Sequence, residues 1–275
     1  MIAFNPFLKI QARMVADGMP RLAVAYSGGL DSRFLCYAAA RAGASVLALH
    51  CHGPHIPAEE TEEAIAFARE ARLKLELVEA DPLGLPEVAC GSKQRCYACK
   101  KFMISRIKAR LAELGEQDRV LCDGSNADDL ALYRPGRRAL EEEGVRSPLC
   151  ECGIAKQDLL DLAQTMPSLA PSRPPRACLL TRFAYGVPPR AEALGRVARA
   201  EAALARLKDD GGQPLLGDFR LRLTPSPLLQ AERFEDAWRA IVAPLLEKEG
   251  FAGFDVLAGE PVSGYFDRAG EKASS

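Results

Sequence analysis

Short apolar runs recur through the first half of the chain at intervals that leave room for a helix between them: RLAVAY (21–26), SVLALHC (45–51), KLELVE (74–79) and RVLCDG (119–124). Stretches such as PAEETEEAIAFAREARL (57–73) lie between them. Strands buried on both faces read as continuous apolar runs, and parallel neighbours need a crossover long enough to carry a helix. The pattern predicts an α/β fold built on a doubly wound parallel sheet. It changes at PSLAPSRPPRA (167–177), which is too proline-rich for a continuous helix. We therefore read a first domain over 1–172 and a smaller C-terminal α+β domain over 173–275. In the second domain the sequence predicts a helix in 191–210, strands at FRLRLT (219–224) and LLQAE (228–232), a helix in 234–250 and a last strand at FDVLAG (254–259). RAGEKASS (268–275) reads as a disordered tail.

Bulk properties narrow the function classes. A chain of 275 residues, 48% hydrophobic with a formal net charge of −1, can bury a sizeable core and carries no excess of charge toward nucleic acid. MIAFNPFLKIQARM lacks the apolar centre and cleavage site of a secretory signal, and no apolar run approaches the roughly 20 residues that span a bilayer. Nine cysteines, an odd number that includes a Cys-x-x-Cys, suit metal or sulfur chemistry in a reducing compartment better than a disulfide framework. The expectation is a cytoplasmic protein with no membrane association.

AYSGGLDSRF (25–34) places two glycines between the first predicted strand and a helix beginning near Leu30. Gly28 and Gly29 permit positive φ and close approach of a ligand to the backbone, and the helix start offers free N–H groups and its positive dipole end. Ser27 and Ser32 add hydroxyls, and Asp31 is suited to hold the loop or a magnesium ion. A phosphate or pyrophosphate fits this chemistry; a plain helix cap is the bland alternative. No Gly-Lys-Ser/Thr follows, so the loop is not of the Walker A type.

The full string SGGLDS (27–32) resembles the SGGxDS signature of the PP-loop ATP pyrophosphatase superfamily. The resemblance implies cleavage of ATP between the α and β phosphates, with Ser27, Gly28, Gly29, Asp31 and Ser32 cradling pyrophosphate and Asp31 and Ser32 taking part in catalysis. QRCYACKK (94–101), DGSNADD (123–129), YRPG (133–136), GVRSPL (144–149), ACLLTRFAYG (177–186) and FRLRL (219–223) follow in the order of the ATP-dependent sacrificial sulfur transferases of the LarE type. That likeness implies an enzyme of nickel-pincer nucleotide synthesis. Such an enzyme adenylates a carboxylate on a pyridinium mononucleotide and then replaces AMP by sulfur.

By the same likeness Cys178 is the sulfur site, with Arg176 and Arg182 placed to favour its anion. Arg220 and Arg222, with Arg182, would hold the substrate phosphate. Alternation puts Arg220 and Arg222 on one face of a strand, for which a solvated strand face is the alternative. Cys96 and Cys99, three apart at an expected helix start, present two thiols on one face. Together with Cys178 they resemble the three-cysteine 4Fe–4S site of cluster-containing PP-loop sulfur transferases, in which a free fourth iron carries sulfide. Asp123, Asp128 and Asp129 are candidates for magnesium, or members of an Asx-rich turn. Cys36, Cys51 and Cys122 lie inside apolar segments and read as small buried hydrophobes. Cys150 and Cys152 depart from the family pattern, and TPSPLLQAE (224–232) lacks the family's usual histidines.

Other functions stay open. Seven basic residues and no acidic one lie between Lys93 and Arg110, so a tRNA-thiolating PP-loop enzyme with a three-cysteine cluster is one alternative. A non-catalytic nucleotide or iron–sulfur sensor is another. The expected partner is a small-molecule nucleotide substrate, not nucleic acid, and the family implies a homo-oligomer.

Overall fold

The computed structural model describes residues 6–130, 135–170, 178–224 and 226–267. In chain order the first elements are α1 (Pro6–Ala16), β1 (Arg21–Ala25), α2 (Leu30–Arg41), β2 (Ser45–His52), α3 (Ala58–Glu70), β3 (Lys74–Glu79) and a short α4 (Pro86–Ala89). There follow α5 (Arg95–Glu113), β4 (Val120–Asp123), α6 (Pro135–Glu142), α7 (Pro148–Glu151) and α8 (Lys156–Thr165). The remainder comprises α9 (Ala191–Leu204), β5 (Phe219–Leu223), β6 (Pro227–Ala231), α10 (Arg239–Lys248) and β7 (Asp255–Ala258).

Two compact units divide the chain: Met1–Pro82 with Gln94–Pro175, and Leu83–Lys93 with Arg176–Ser275. In the first unit a parallel sheet runs in the order β3-β2-β1-β4, the α/β architecture expected. Alternation along β1 sends Leu22 and Val24 into a core shared with Ile10, Phe34, Leu35 and Leu159, from α1, α2 and α8. Ala23 faces the opposite core, formed with Leu47, Leu49, Ile104, Ile107 and Leu111. Helices therefore cover both faces, and each fully buried leucine contributes about 1.5–3 kcal/mol. Because β1 is flanked by β2 on one side and β4 on the other, the chain reverses its winding between β1 and β4. In open α/β sheets ligands bind at that switch, outside the carboxyl ends of the strands.

The second unit is a smaller α+β body. Antiparallel β5–β6 and parallel β6–β7 make a sheet in the order β5-β6-β7. The helix expected at Phe234 starts later, with a 3₁₀ turn over Asp236–Trp238 ahead of α10. The unit also takes in Leu83–Lys93, a segment from the middle of the first half. Gly91 binds it there: its carbonyl accepts from the Gly186 amide at 2.9 Å. At φ +66° a Cβ on Gly91 would come within 2.6 Å of the Val187 carbonyl. The predicted tail (268–275) lies outside the described residues, as does most of the proline-rich stretch. Among the described residues no helix is long and apolar enough to cross a membrane.

Candidate active site

Between Ala25 and Leu30 the chain makes the tight turn the glycines foretell. Gly28 has φ +80°, and a Cβ there would sit 2.7 Å from the Ala64 Cβ on α3, so both conformation and space demand glycine. The N-cap of α2 is Gly29, which has no side chain with which to cap the helix. The amides of Leu30, Asp31 and Ser32 have no acceptor within the helix, being in its first turn. Ser27 and Ser32 flank them: their hydroxyls are 3.2 Å apart, Ser32 Oγ donates to the Gly29 carbonyl at 3.0 Å, and the Gly29 amide leans toward Ser27 Oγ at 3.3 Å. Free amides, a dipole end and two hydroxyls converge on one bend, a donor set that matches a polyanion better than a plain cap.

The loop after β4 closes the other side of the bend. A Cβ on Gly124 would lie 2.9 Å from the Ser32 amide nitrogen, so this glycine lets the loop seat directly on the start of α2. Asn126 Nδ2 donates to Asp31 at 2.9 Å, and Lys156 Nζ forms an ion pair with the other Asp31 oxygen. The three carboxylates considered for magnesium are occupied by the loop. Asp123 accepts from Ser125 Oγ at 2.6 Å and Ser147 Oγ at 2.7 Å, Asp128 from the Lys156 amide at 2.8 Å, and Asp129 from the Asn126 amide at 3.1 Å. Among the described residues no group of three or more His, Cys, Asp or Glu side chains is arranged to hold a metal ion.

The cysteines fall into distinct environments. Burial pushes the thiols of Cys36 and Cys122 up to about 12 and that of Cys51 up to about 11, which leaves them inert at neutral pH. Burial also raises Cys150 and Cys152. Cys96 and Cys99 sit in the opening turns of α5, on one face, with Cys99 buried and Cys96 half-buried. Both belong to the first unit. Cys178 belongs to the second, as the N-cap of a 3₁₀ turn over Leu179–Arg182 whose Thr181 amide and hydroxyl donate to the Cys178 carbonyl at 3.0 and 2.8 Å.

In the second unit all three candidate phosphate ligands are buried. Arg182, fully enclosed, grips Glu201 through two 2.8 Å hydrogen bonds. Its charge is answered there, and Arg176 lies outside the described residues. Arg220 and Arg222 share one face of β5, 6% and 3% exposed, so neither belongs to a solvated strand face. Arg220 pairs with Asp218. Among the described residues Arg222 donates to neutral acceptors: Gln230 Oε1 at 3.1 and 3.0 Å, the Thr181 carbonyl at 2.8 Å and the Val262 carbonyl. Burial first, then the Arg182 and Arg220 guanidiniums, lower its pKa to about 9. An anion beside it would relieve that strain.

No family model matches the chain. An uncharacterized protein of Synechocystis (slr1717) is 35% identical over 190 residues, 69% of this chain and 70% of that one. The pyridinium-3,5-bisthiocarboxylic acid mononucleotide synthase of Lactiplantibacillus plantarum is 28% identical over 69% of this chain and 68% of its own. The tRNA-5-methyluridine(54) 2-sulfurtransferase of Thermus thermophilus is 33% identical over 50% of this chain and 45% of its own. The chain belongs to the PP-loop superfamily, in one family with the Synechocystis protein.

Its named relatives in the superfamily are sulfur-transferring enzymes. Two residues of this PP-loop site escaped the sequence reading, Asn126 and Lys156. A signal for Lys156 was present: a cation as the first residue of a helix opposes the helix dipole and calls for a local partner. Three residues of the basic strip on α5 are paired with carboxylates. Lys101 pairs with Glu142 at 2.9 Å, Lys108 with Glu143 at 2.7 Å, and Arg110 with Glu76 and Glu113, each at 2.9 Å. Two histidines near the end of β2, His50 and His55, are buried. His50 bonds the Tyr26 carbonyl at 2.9 Å and Thr61 Oγ1 at 3.1 Å, and His55 is 1% exposed.

Proposed function

We propose that the protein is an ATP-dependent sulfur transferase. ATP would be attacked at its α phosphorus by a substrate carboxylate, giving an acyl adenylate and pyrophosphate. A sulfur nucleophile would then displace AMP and leave a thiocarboxylate. The observation that carries this reading is the Gly28–Gly29 bend, with first-turn amides, Ser27 and Ser32 at its mouth and Lys156 held beside it on Asp31. Pyrophosphate leaves as a polyanion and needs donors fixed in advance. The bend supplies amides without a lysine of its own, and Lys156 supplies the missing positive charge from another element.

The match to the Lactiplantibacillus synthase supports a pyridinium mononucleotide carboxylate as the substrate. Its phosphate would lie against Arg222, which would exchange some of its bonds to neutral acceptors for phosphate oxygens. Cys178 would donate sulfur: its thiolate displaces AMP to give a thioester, and loss of the Cys178 Hα then breaks the Cβ–Sγ bond, leaving the thiocarboxylate and dehydroalanine. The opening turns of α5 suit Cys96 and Cys99 as two thiolate ligands of a 4Fe–4S cluster. Such a cluster would supply a sulfide in place of the cysteine's own sulfur.

The Thermus match favours a second reading, transfer of sulfur to tRNA. The carboxylate partners of Lys101, Lys108 and Arg110 speak against it, since phosphate contacts from cations dominate nucleic-acid affinity. Labelled ATP with magnesium and a carboxylated pyridinium mononucleotide should yield AMP and pyrophosphate; exclusive release of ADP would overturn the proposal, and thiolation of tRNA instead would select the second reading. Lys156→Met should lower AMP formation at least a hundredfold, the scale of one lost electrostatic contact to developing charge being about 10²–10³. Its stability should change by no more than about 1 kcal/mol, since the half-exposed pair is worth little to the fold.

A further inference from the structure

The residue directly after the SGGLDS string, Arg33, is 3% exposed and has no place in the chemistry proposed above. It lies on α2 and folds back beneath the glycine-rich bend. Its Nε donates to the Gly28 carbonyl at 2.6 Å, Nη2 to Glu63 Oε1 at 2.9 Å and Nη1 to the Ala170 carbonyl at 3.2 Å. The guanidinium lies 4.4 Å from the centre of the Phe67 ring. Glu63 and Phe67 belong to consecutive turns of α3, and between them Ala64 is the residue that touches Gly28. One helix therefore buttresses the bend by contact and holds the arginine that grips it.

The bond to Gly28 fixes more than position. In a trans peptide the C=O and the following N–H point in opposite directions. With the Gly28 carbonyl drawn inward to Arg33, the Gly29 amide must point outward, to the side where Ser27 Oγ lies. A peptide between two glycines turns over at little steric cost, and the turned-over state would aim a carbonyl oxygen at the ligand in place of a donor. We propose that Arg33 is a positioning residue that sets the polarity of the anion cradle by holding the Gly28–Gly29 peptide with its donor toward the ligand, Glu63 and Phe67 keeping the guanidinium in place. Its own charge is answered by Glu63, so it acts through the backbone and not on the phosphate.

This inference rests on the nucleotide reading, and the test separates the two. Magnesium-ATP, inorganic pyrophosphate and adenosine are titrated calorimetrically into the full-length protein and into Arg33→Met and Arg33→Lys. Both variants should lose about tenfold or more in affinity for pyrophosphate and ATP, the scale of a hydrogen bond to a charged group. Adenosine, which has no phosphate, should bind within about twofold of wild type, and Glu63→Gln alone, which keeps an acceptor for Arg33, should retain near-normal pyrophosphate binding. If Arg33→Met does not fold, Glu63→Ala, which only loosens the guanidinium, should show the same selective loss at smaller size. Unchanged pyrophosphate affinity in the variants beside a wild type that binds it overturns the role of Arg33 and leaves the nucleotide reading intact. Equal losses for adenosine and pyrophosphate reduce Arg33 to a structural residue and overturn the proposal. A wild type that binds neither ATP nor pyrophosphate overturns both.

Discussion

A guanidinium and a carboxylate with 0% and 1% of their side chains exposed, Arg182 and Glu201, are held in place by each other. Glu201 Oε1 also accepts from the Leu221 amide at 2.8 Å, so it joins α9 to β5. Removing one partner leaves an unanswered buried charge, which typically costs about 3–5 kcal/mol, whereas removing both charges is far milder. Arg182→Met should therefore lower urea stability by about that amount, and adding Glu201→Gln should recover most of it, because glutamine keeps the acceptor for Leu221. A single variant as stable as wild type would contradict this account. His55 makes a separate case. Burial depresses its pKa to about 4, against a weaker opposing pull from Asp81, and among the described residues neither ring nitrogen has a hydrogen-bond partner. The folded state keeps the ring neutral while the unfolded chain takes up a proton near pH 6.5. Stability from this residue is complete above about pH 6.5 and is lost as pH falls toward 4, amounting to about 3 kcal/mol. Chemical denaturation of wild type and His55→Phe across that range should show the variant's curve flattened. The motif string announced Arg182, while nothing in the sequence singled out His55. Their surroundings were not legible, because a partner 19 residues away and the closing of a pocket are products of packing.

At the scale of elements, the strands and helices of the first unit were legible because apolar runs of strand length and amphipathic runs of helix length alternate without ambiguity. The start of α5 could be read for the same reason, and with it the shared face of Cys96 and Cys99. Less legible was the unequal use of the two glycines in the bend. Gly28 is at φ +80° against Ala64, while Gly29 is at φ −77° with only Ser27 Oγ, at 3.4 Å, near a would-be Cβ. Gly28→Ala must strain the backbone and push α3 away, at a cost of about 1–3 kcal/mol. Gly29→Ala asks for neither. Thermal denaturation should show a lowered midpoint for the first and nearly none for the second, and pyrophosphate binding should fail in the first alone. Equal effects would mean that the doublet serves flexibility in general and not one strained position.

Over the whole molecule, composition and proline content pointed to a change of architecture between 167 and 177, and the structure has two units that differ in architecture. What the chain order concealed is that the second unit is discontinuous. Leu83–Lys93 carries no cue to its destination: it is short, and its Gly91 looks like any turn glycine. Only the fold reveals that Gly91 bonds Gly186 and lies against Val187. A fragment cut where the sequence suggests, 173–275, would lack this segment and leave the Gly186 amide without its acceptor and the Val187 backbone uncovered. Gly186 and Val187 are exposed, so the loss is that of the hydrogen bond's net contribution, about 0.5–1.5 kcal/mol, together with the packing of the segment. The fragment 173–275 should therefore exchange its amide protons faster and unfold at lower urea than the same residues do in the full chain. Joining residues 83–93 to its N-terminus through a flexible linker should restore much of the difference, whereas a linker of equal length carrying Gly91→Val should not. Equal protection with and without the segment would show that the second unit is complete without it.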